Sequence, residues 1–185
     1  MFLDATECPI NRPTYHQEYW YSGKKKCHTL KYEGILNNYS LSFFIEIAVG
    51  VRMRDGLIVW CPYTNPIPGR MHDVRLAREV TEVINELEPW EMIVCDRGYQ
   101  GLERAIVPVR SASTPEDHLY NSWLHNIRSV VERCIGRIKT FRCLTTRWRH
   151  DLKYHPCAFQ VCAQLTNLII LAHPLFHHDH SLIDK

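Results

Sequence analysis

NIRSVVERCIGRIKTFR, residues 126–142, is the stretch on which the reading of this chain turns. Ile127, Val130, Val131, Cys134, Ile135, Ile138 and Phe141 recur every three or four residues, the spacing of an amphipathic helix. At about 100° per residue they fill one face and leave Glu132 well round from it. Arg128 and Lys139 share the flank of Glu132, while Ser129 and Gly136 keep that side low. Two readings are open. In one, Glu132 is a solvated residue paired with Arg128 at i,i+4, worth about 0.2–0.5 kcal/mol. In the other it is a metal ligand, set among cations that could hold a phosphate backbone. The helix alone favours the first.

Working outward, 185 residues make one domain, large enough for a core without staples. Hydrophobic content of 45% and charged content of 23% are ordinary for a globular protein. The net charge of +2 hides a division. Residues 1–96 carry 10 Lys/Arg against 13 Asp/Glu, and residues 97–153 carry 11 against 5. Cationic charge is thus concentrated around the Glu132 helix, which suits a polyanionic partner such as nucleic acid. The eight cysteines form no CxxC pair, and several lie in apolar runs, so buried thiols in a reducing, intracellular compartment are expected. No Cys/His cluster has zinc-finger spacing. His173, His177, His178 and His180 near the polar C-terminus are read as a frayed tail over residues 176–185 in preference to a metal site. The apolar run at 168–172 falls far short of the roughly 20 residues that span a bilayer, and no secretory leader is visible. No membrane association is expected.

Along the chain, Phe2-Leu3-Asp4 reads as the last residues of a buried strand, followed by a loop punctuated by Pro9 and Pro13. Residues 18–32 read as a hairpin turning at Ser22-Gly23, with Lys24, Lys25 and Lys26 at its tip as solvated turn residues or phosphate contacts. Residues 45–51 are strand-like, and Asp55-Gly56 is a hairpin turn into residues 57–60. Asp73 is placed to cap a helix over residues 74–87. Residues 92–96, MIVCD, form a short apolar strand that delivers a carboxylate at its end, the way open α/β sheets present site residues. Residues 106–109 suit another strand, residues 111–121 look polar and mobile, and a last helix is expected over 155–173. Strands and helices in this mixed order predict an α/β fold with a central sheet.

Three acids stand out: Asp4 and Asp96 at strand ends, and Glu132 on its helix, spaced by 92 and 36 positions. With them run LDATECPINRP, YSGKKKCHTLKY, PGRMHDVRL, VCDRGYQG and SVVERCIGRIKTFR, in that order. Together these segments resemble the catalytic domain of DDE-superfamily transposases, most of all the Harbinger type and related insertion-sequence transposases. The resemblance covers nearly the whole chain, over residues 1–175, and favours the ligand reading of Glu132. It implies an RNase H-like fold, a mixed five-stranded sheet flanked by helices, in which Asp4, Asp96 and Glu132 are the catalytic, metal-binding acids. It implies Mg²⁺ or Mn²⁺, two ions about 3.5–4 Å apart, on the entering and leaving oxygens of an in-line phosphodiester displacement. Mg²⁺ takes hard oxygen ligands and keeps several waters, so carboxylates supply charge without closing the site. His72-Asp73 matches a His-Asp pair adjacent to the site.

The implied partner is DNA, both transposon ends and target, with a separate DNA-binding protein and a homo-oligomer as further expectations. Lys24, Lys25, Lys26, Arg97, Arg128, Arg133, Arg137, Lys139 and Arg142 are the candidate DNA contacts. Site of action would be intracellular, nuclear in a eukaryote. The alternative function is a host-adopted, catalytically inactive derivative that binds DNA or protein. Two departures from the family pattern are expected to matter. The chain starts three residues before its first acid, which reads as an N-terminal truncation. Residues 34–46, GILNNYSLSFFIE, interrupt an otherwise continuous strand and read as an insertion or a translated intron; the alternative is a genuine hairpin arm.

Overall fold

The computed structural model describes residues 3–34, 57–58, 67–79 and 83–175. The proposed insertion other than Gly34, the Asp55-Gly56 turn and the tail at 176–185 lie outside the described residues.

Around the first acid the chain forms β1 (Asp4–Pro9), α1 (Gln17–Trp20), β2 (Tyr21–Ser22) and β3 (Cys27–Gly34). β1 and β3 are antiparallel, in register from Asp4 opposite Gly34 to Pro9 opposite Thr29. β2 pairs antiparallel with the start of β3, so a hairpin forms with Lys26 at φ 57° in its turn. Its first arm is only Tyr21–Ser22, because the residues before it, expected as strand, form α1. β4 (Ile67–Pro68) adds to β3 opposite Leu30 and Lys31. Asp4 therefore opens its strand; the expectation that Phe2-Leu3-Asp4 closed one is corrected. The reason is the length of β3, which carries the ladder through residues read as loop. Pro9 is tolerated because it stands at the strand's end, where its carbonyl accepts from the Trp148 N–H at 3.1 Å.

After β4 come α2 (Asp73–Glu79), a 3₁₀ turn at Val83–Glu86, and β5 (Ile93–Val94), which pairs in parallel with β6 (Ala105–Ile106). Helix was expected over 74–87; among the described residues, 73–79 are α-helical and 83–86 are 3₁₀. The Leu3 N–H donates to the Val94 carbonyl at 3.0 Å, tying the lead-in of β1 to β5.

The Glu132 helix is α3 (Pro115–Ile138), 24 residues long. It starts eleven residues earlier than its apolar spacing shows. Thr114 and Asp117 form a reciprocal capping box over Pro115, which recruits the segment expected to be mobile. Val130, Val131, Cys134 and Ile138 are buried, as the periodicity requires. They pack with Cys8, Leu30 and Tyr32 of the sheet, with α4 (Arg142–Thr145) through Leu144, and with α5 (His155–Ala172). A second cluster gathers Leu3, Ala77, Ile93, Cys95, Tyr99 and Leu102. β1 thus contributes to both cores, and Asp4 lies in sequence between its two anchors, Leu3 and Cys8.

The stretch Leu152–Ala172 is long and apolar enough by length and composition to cross a membrane, but 44% of it is buried inside the fold. Phe159 of α5 stacks on Tyr32 with ring centres 4.2 Å apart, and His155 stacks on the same tyrosine. The Asn167 amide brackets the Ile58 backbone, accepting its N–H at 2.6 Å and donating to its carbonyl at 2.5 Å. The seven cysteines among the described residues are free thiols.

Candidate active site

Asp4 is half-buried at the start of β1, with Oδ1 accepting the Ala5 N–H at 2.8 Å. Its carboxyl is pushed up to about 6, first by burial, then by the charge of Asp96, with Asp73 acting in the same direction; the Ala5 hydrogen bond and Arg128 oppose the rise. Asp96 lies two residues beyond the end of β5 and caps the short turn Arg97–Tyr99, its Oδ1 accepting the Gly98 N–H at 2.7 Å.

Gly98 explains how a third carboxylate comes near. A Cβ at this position would lie 2.6 Å from Asp73 Oδ2 and 2.9 Å from Asp96 Oδ1. Only a residue without a side chain fits between those two oxygens without displacing one of them. Asp73 is the first residue of α2, and the His72 carbonyl before it accepts the Arg75 and Leu76 N–H groups. His72, not Asp73, is therefore at the capping position, which corrects the expectation for Asp73. The Asp73 carboxylate turns to Lys31, with Oδ1 accepting from Nζ at 2.8 Å. Lys31 Nζ also donates to the Met71 carbonyl at 2.6 Å, and its side chain is only 8% exposed. A buried ammonium held this way keeps one Asp73 oxygen fixed and leaves the other facing Gly98.

Glu132 stands apart from this group. Its side chain is 52% exposed, and Oε1 lies 3.8 Å from Arg128 Nη2. Arg128, 19% exposed, borders a recess of about 340 Å³ together with Asp96, Arg97 and His125. Arg128 is thus the shared neighbour: it pairs with Glu132 and its charge reaches Asp4. The charges of Asp96 and Asp73 reach Asp4, whereas the partner shown for Glu132 is Arg128. Among the described residues, no three or more His, Cys, Asp or Glu side chains are gathered tightly enough to hold a metal ion.

The expected DNA contacts divide by what holds them. Lys24, Lys25 and Lys26 are exposed in the β2–β3 turn, and Lys24 lines a cleft of about 960 Å³ that runs past Glu7, His28, Lys31 and Asp73 to Gly98. Arg97 donates to the Val109 carbonyl at 3.2 Å, and Arg133 to Ser129 Oγ at 3.4 Å; both remain exposed, as does Arg142. Arg137 is committed to the His173 and Pro174 carbonyls beyond α5. Lys139 turns inward, donating to the Glu7 carbonyl and reaching Cys8 Sγ at 3.4 Å. Its amine holds β1 from behind, where an outward, Glu132-flanking position was expected.

Lys31 and Gly98 were missed by reasoning from sequence. A lysine alternating with Leu30 and Tyr32 in a strand reads as solvent-facing, and nothing local signals Asp73 as its partner. Gly98 had a signal, since it stands two residues after the Asp96 carboxylate.

Residues 3–167 match the family described as DDE superfamily endonuclease. The chain is also similar to a curated relative named "Probable transposase for insertion sequence element IS702" from Microchaete diplosiphon, with 29% identity over 156 residues. That alignment covers 80% of this chain and 49% of the relative, so the chain spans about half the length of the curated relative it matches. No solved structure matches the chain at a significant level.

Proposed function

The chain belongs to the DDE superfamily endonuclease family, and from that premise we propose that it is the nuclease domain of a Harbinger-type DNA transposase. The observation that carries this reading is the approach of Asp4 to Asp96, close enough that the Asp96 charge adds to burial in raising the Asp4 carboxyl. Two acids delivered to one place by strands far apart in sequence are a site, and burying them together without a cation costs stability. An RNase H-like arrangement is part of the proposal. It is supported by the antiparallel β1–β3 ladder, the parallel β5–β6 pair and the Leu3–Val94 bond that joins the two sheets.

A divalent cation, Mg²⁺ or Mn²⁺, suits the donor set. The oxygens are hard, and one or two carboxylates suffice beside waters and substrate phosphate. The Asp4 carboxyl, raised first by burial and then by the charge of Asp96, sits where a cation would be stabilising. When bound, two such ions supply an activated water and stabilise the entering and leaving oxygens of an in-line displacement. Asp4 and Asp96 would hold the ions. Asp96 is oriented by the Gly98 N–H, and Asp4 by the Ala5 N–H.

Glu132 joins them when it leaves Arg128, a long pairing at 3.8 Å between a half-exposed carboxylate and a largely covered guanidinium. Arg128 is then free for a phosphate, with Arg97, Arg133, Arg142 and Lys24–Lys26 extending the contact along the backbone. DNA ends and target are the substrates. A separate DNA-binding protein, self-association and an intracellular, in eukaryotes nuclear, setting complete the proposal.

The test is a nicking assay on supercoiled plasmid with Mg²⁺, with EDTA, and with Asp96→Asn. Metal-dependent nicking that Asp96→Asn abolishes is the expected result. Salt-sensitive DNA binding without any nicking would favour the inactive, host-adopted alternative.

A further inference from the structure

Away from the acids, two thiols meet. Cys143 on α4 and Cys162 on α5 bring their sulfurs to 3.5 Å. Cys162 is buried and Cys143 is exposed, so Cys143 is the thiol that solvent reaches first. A disulfide has its sulfurs about 2.05 Å apart, so closing the bond takes a movement of about 1.5 Å, within the range of side-chain rotation. Cys8 lies close enough to interact electrostatically with both. Yet Cys8 is buried against Lys139, and no three-residue metal cluster is found among the described residues. A thiol pair, not a ligand set, is what the geometry leaves.

Cys143 opens on a recess of about 410 Å³ whose walls include Arg147, Trp148, Arg149 and His150. Two guanidinium groups and an imidazole around an exposed thiol favour an anionic reactant. We propose that Cys143 and Cys162 form an oxidisable dithiol, Cys143 attacking an anionic disulfide such as oxidised glutathione and Cys162 resolving the adduct.

The steps balance without any further reactant. Cys143 loses its proton to solvent, and its thiolate attacks one sulfur of glutathione disulfide. The glutathione S–S bond breaks, one glutathione thiolate leaves, and a mixed disulfide remains on Cys143. Cys162 then loses its proton and attacks the Cys143 sulfur, expelling the second glutathione. Two protein thiols are oxidised to one disulfide, and one glutathione disulfide is reduced to two thiols. Burial, with the neighbouring Cys143 adding to it, pushes the Cys162 thiol up to about 12. The thiolate is the attacking species, so Cys162 must lose its proton before the adduct resolves. None of this depends on whether the chain cuts DNA.

The experiment is to incubate the full chain with oxidised glutathione and follow intact mass with time. Non-reducing peptide mapping over all eight cysteines then assigns the bonds. The expected course is a glutathione adduct on Cys143 that converts to a Cys143–Cys162 bond. Cys143→Ser should give neither species, and Cys162→Ala should stop at the adduct. An internal bond mapped to other cysteines would overturn the proposal. So would a native chain that stays unmodified at Cys143 while the urea-unfolded chain reacts.

Discussion

Replacing Gly98 by alanine isolates the arrangement of the acids from every other part of the fold. The added methyl carbon would stand 2.6 Å from Asp73 Oδ2, 2.9 Å from Asp96 Oδ1 and 3.4 Å from Asp73 Cγ. Neither oxygen yields freely. Asp73 is tethered through its other oxygen to Lys31, and Asp96 through Oδ1 to the Gly98 N–H itself. Relief therefore requires the two carboxylates to part or the Arg97–Tyr99 turn to shift. Overpacking of this kind costs about 1–3 kcal/mol. If Asp96 is the group that moves, a displacement of about 1 Å is enough to lower the nicking rate about 100-fold. Chemical denaturation and the plasmid assay measure the two effects separately. A double-mutant cycle with Asp73→Ala supplies the control, because removing that carboxylate removes the nearest clash. Gly98→Ala should cost clearly less in the Asp73→Ala background than alone. Equal costs in the two backgrounds, or a fully stable and fully active Gly98→Ala protein, would refute the proposed crowding.

Two further outcomes follow from named groups. His155 is buried, with Nδ1 2.6 Å from the Tyr32 hydroxyl and no partner for Nε2 among the described residues. Burial, then the charge of Lys139, lowers its pKa from 6.5 to about 4. The unfolded chain therefore binds the proton more readily, and stability is lost as pH falls from about 6.5 to 4, by about 3 kcal/mol in full. Asp4, raised from 3.8 to about 6, has the opposite slope: its fold is favoured as pH falls through that window. The two nearly cancel, so His155→Gln should leave a protein that gains stability on acidification, and Asp4→Asn one that loses it; denaturant titrations at several pH values decide. For DNA binding, Arg128→Ala should flatten the slope of log K against log salt by about 0.9. Lys139→Ala should leave that slope unchanged and lower the melting temperature, because its amine is bonded to the Glu7 carbonyl.

What the sequence disclosed depended on how far each feature's cause extends along the chain. α5 was legible almost to the residue, because its apolar spacing is local. Half of α3 was legible for the same reason. Its first turns were not, although Thr114-Pro115-Glu116-Asp117 spells out a capping box, because polar composition was given more weight than cap chemistry. The direction in which Asp4 meets its strand could not be read locally, since the length of β3 sets it from about thirty residues away. Lys31 was passed over and Lys139 was read as outward for one reason: both cations are drawn inward by carbonyls distant in sequence, and charge alone gives no sign of that. Asp4 and Asp96 were found at strand ends. Asp73 as their neighbour required the fold, since the glycine between the carboxylates reports its purpose only in three dimensions.

Arg128 has one charge and two claims upon it. It pairs with Glu132, and it lowers the proton affinity of Asp4. On the proposed function, a phosphate that draws Arg128 away gives the site back one negative charge at Glu132 and withdraws a positive one from Asp4. Both changes strengthen its hold on a divalent cation, and thermodynamic reciprocity requires that the cation strengthen DNA binding by the same factor. The free protein would then be a poor chelator, and substrate would be the agent that arms it.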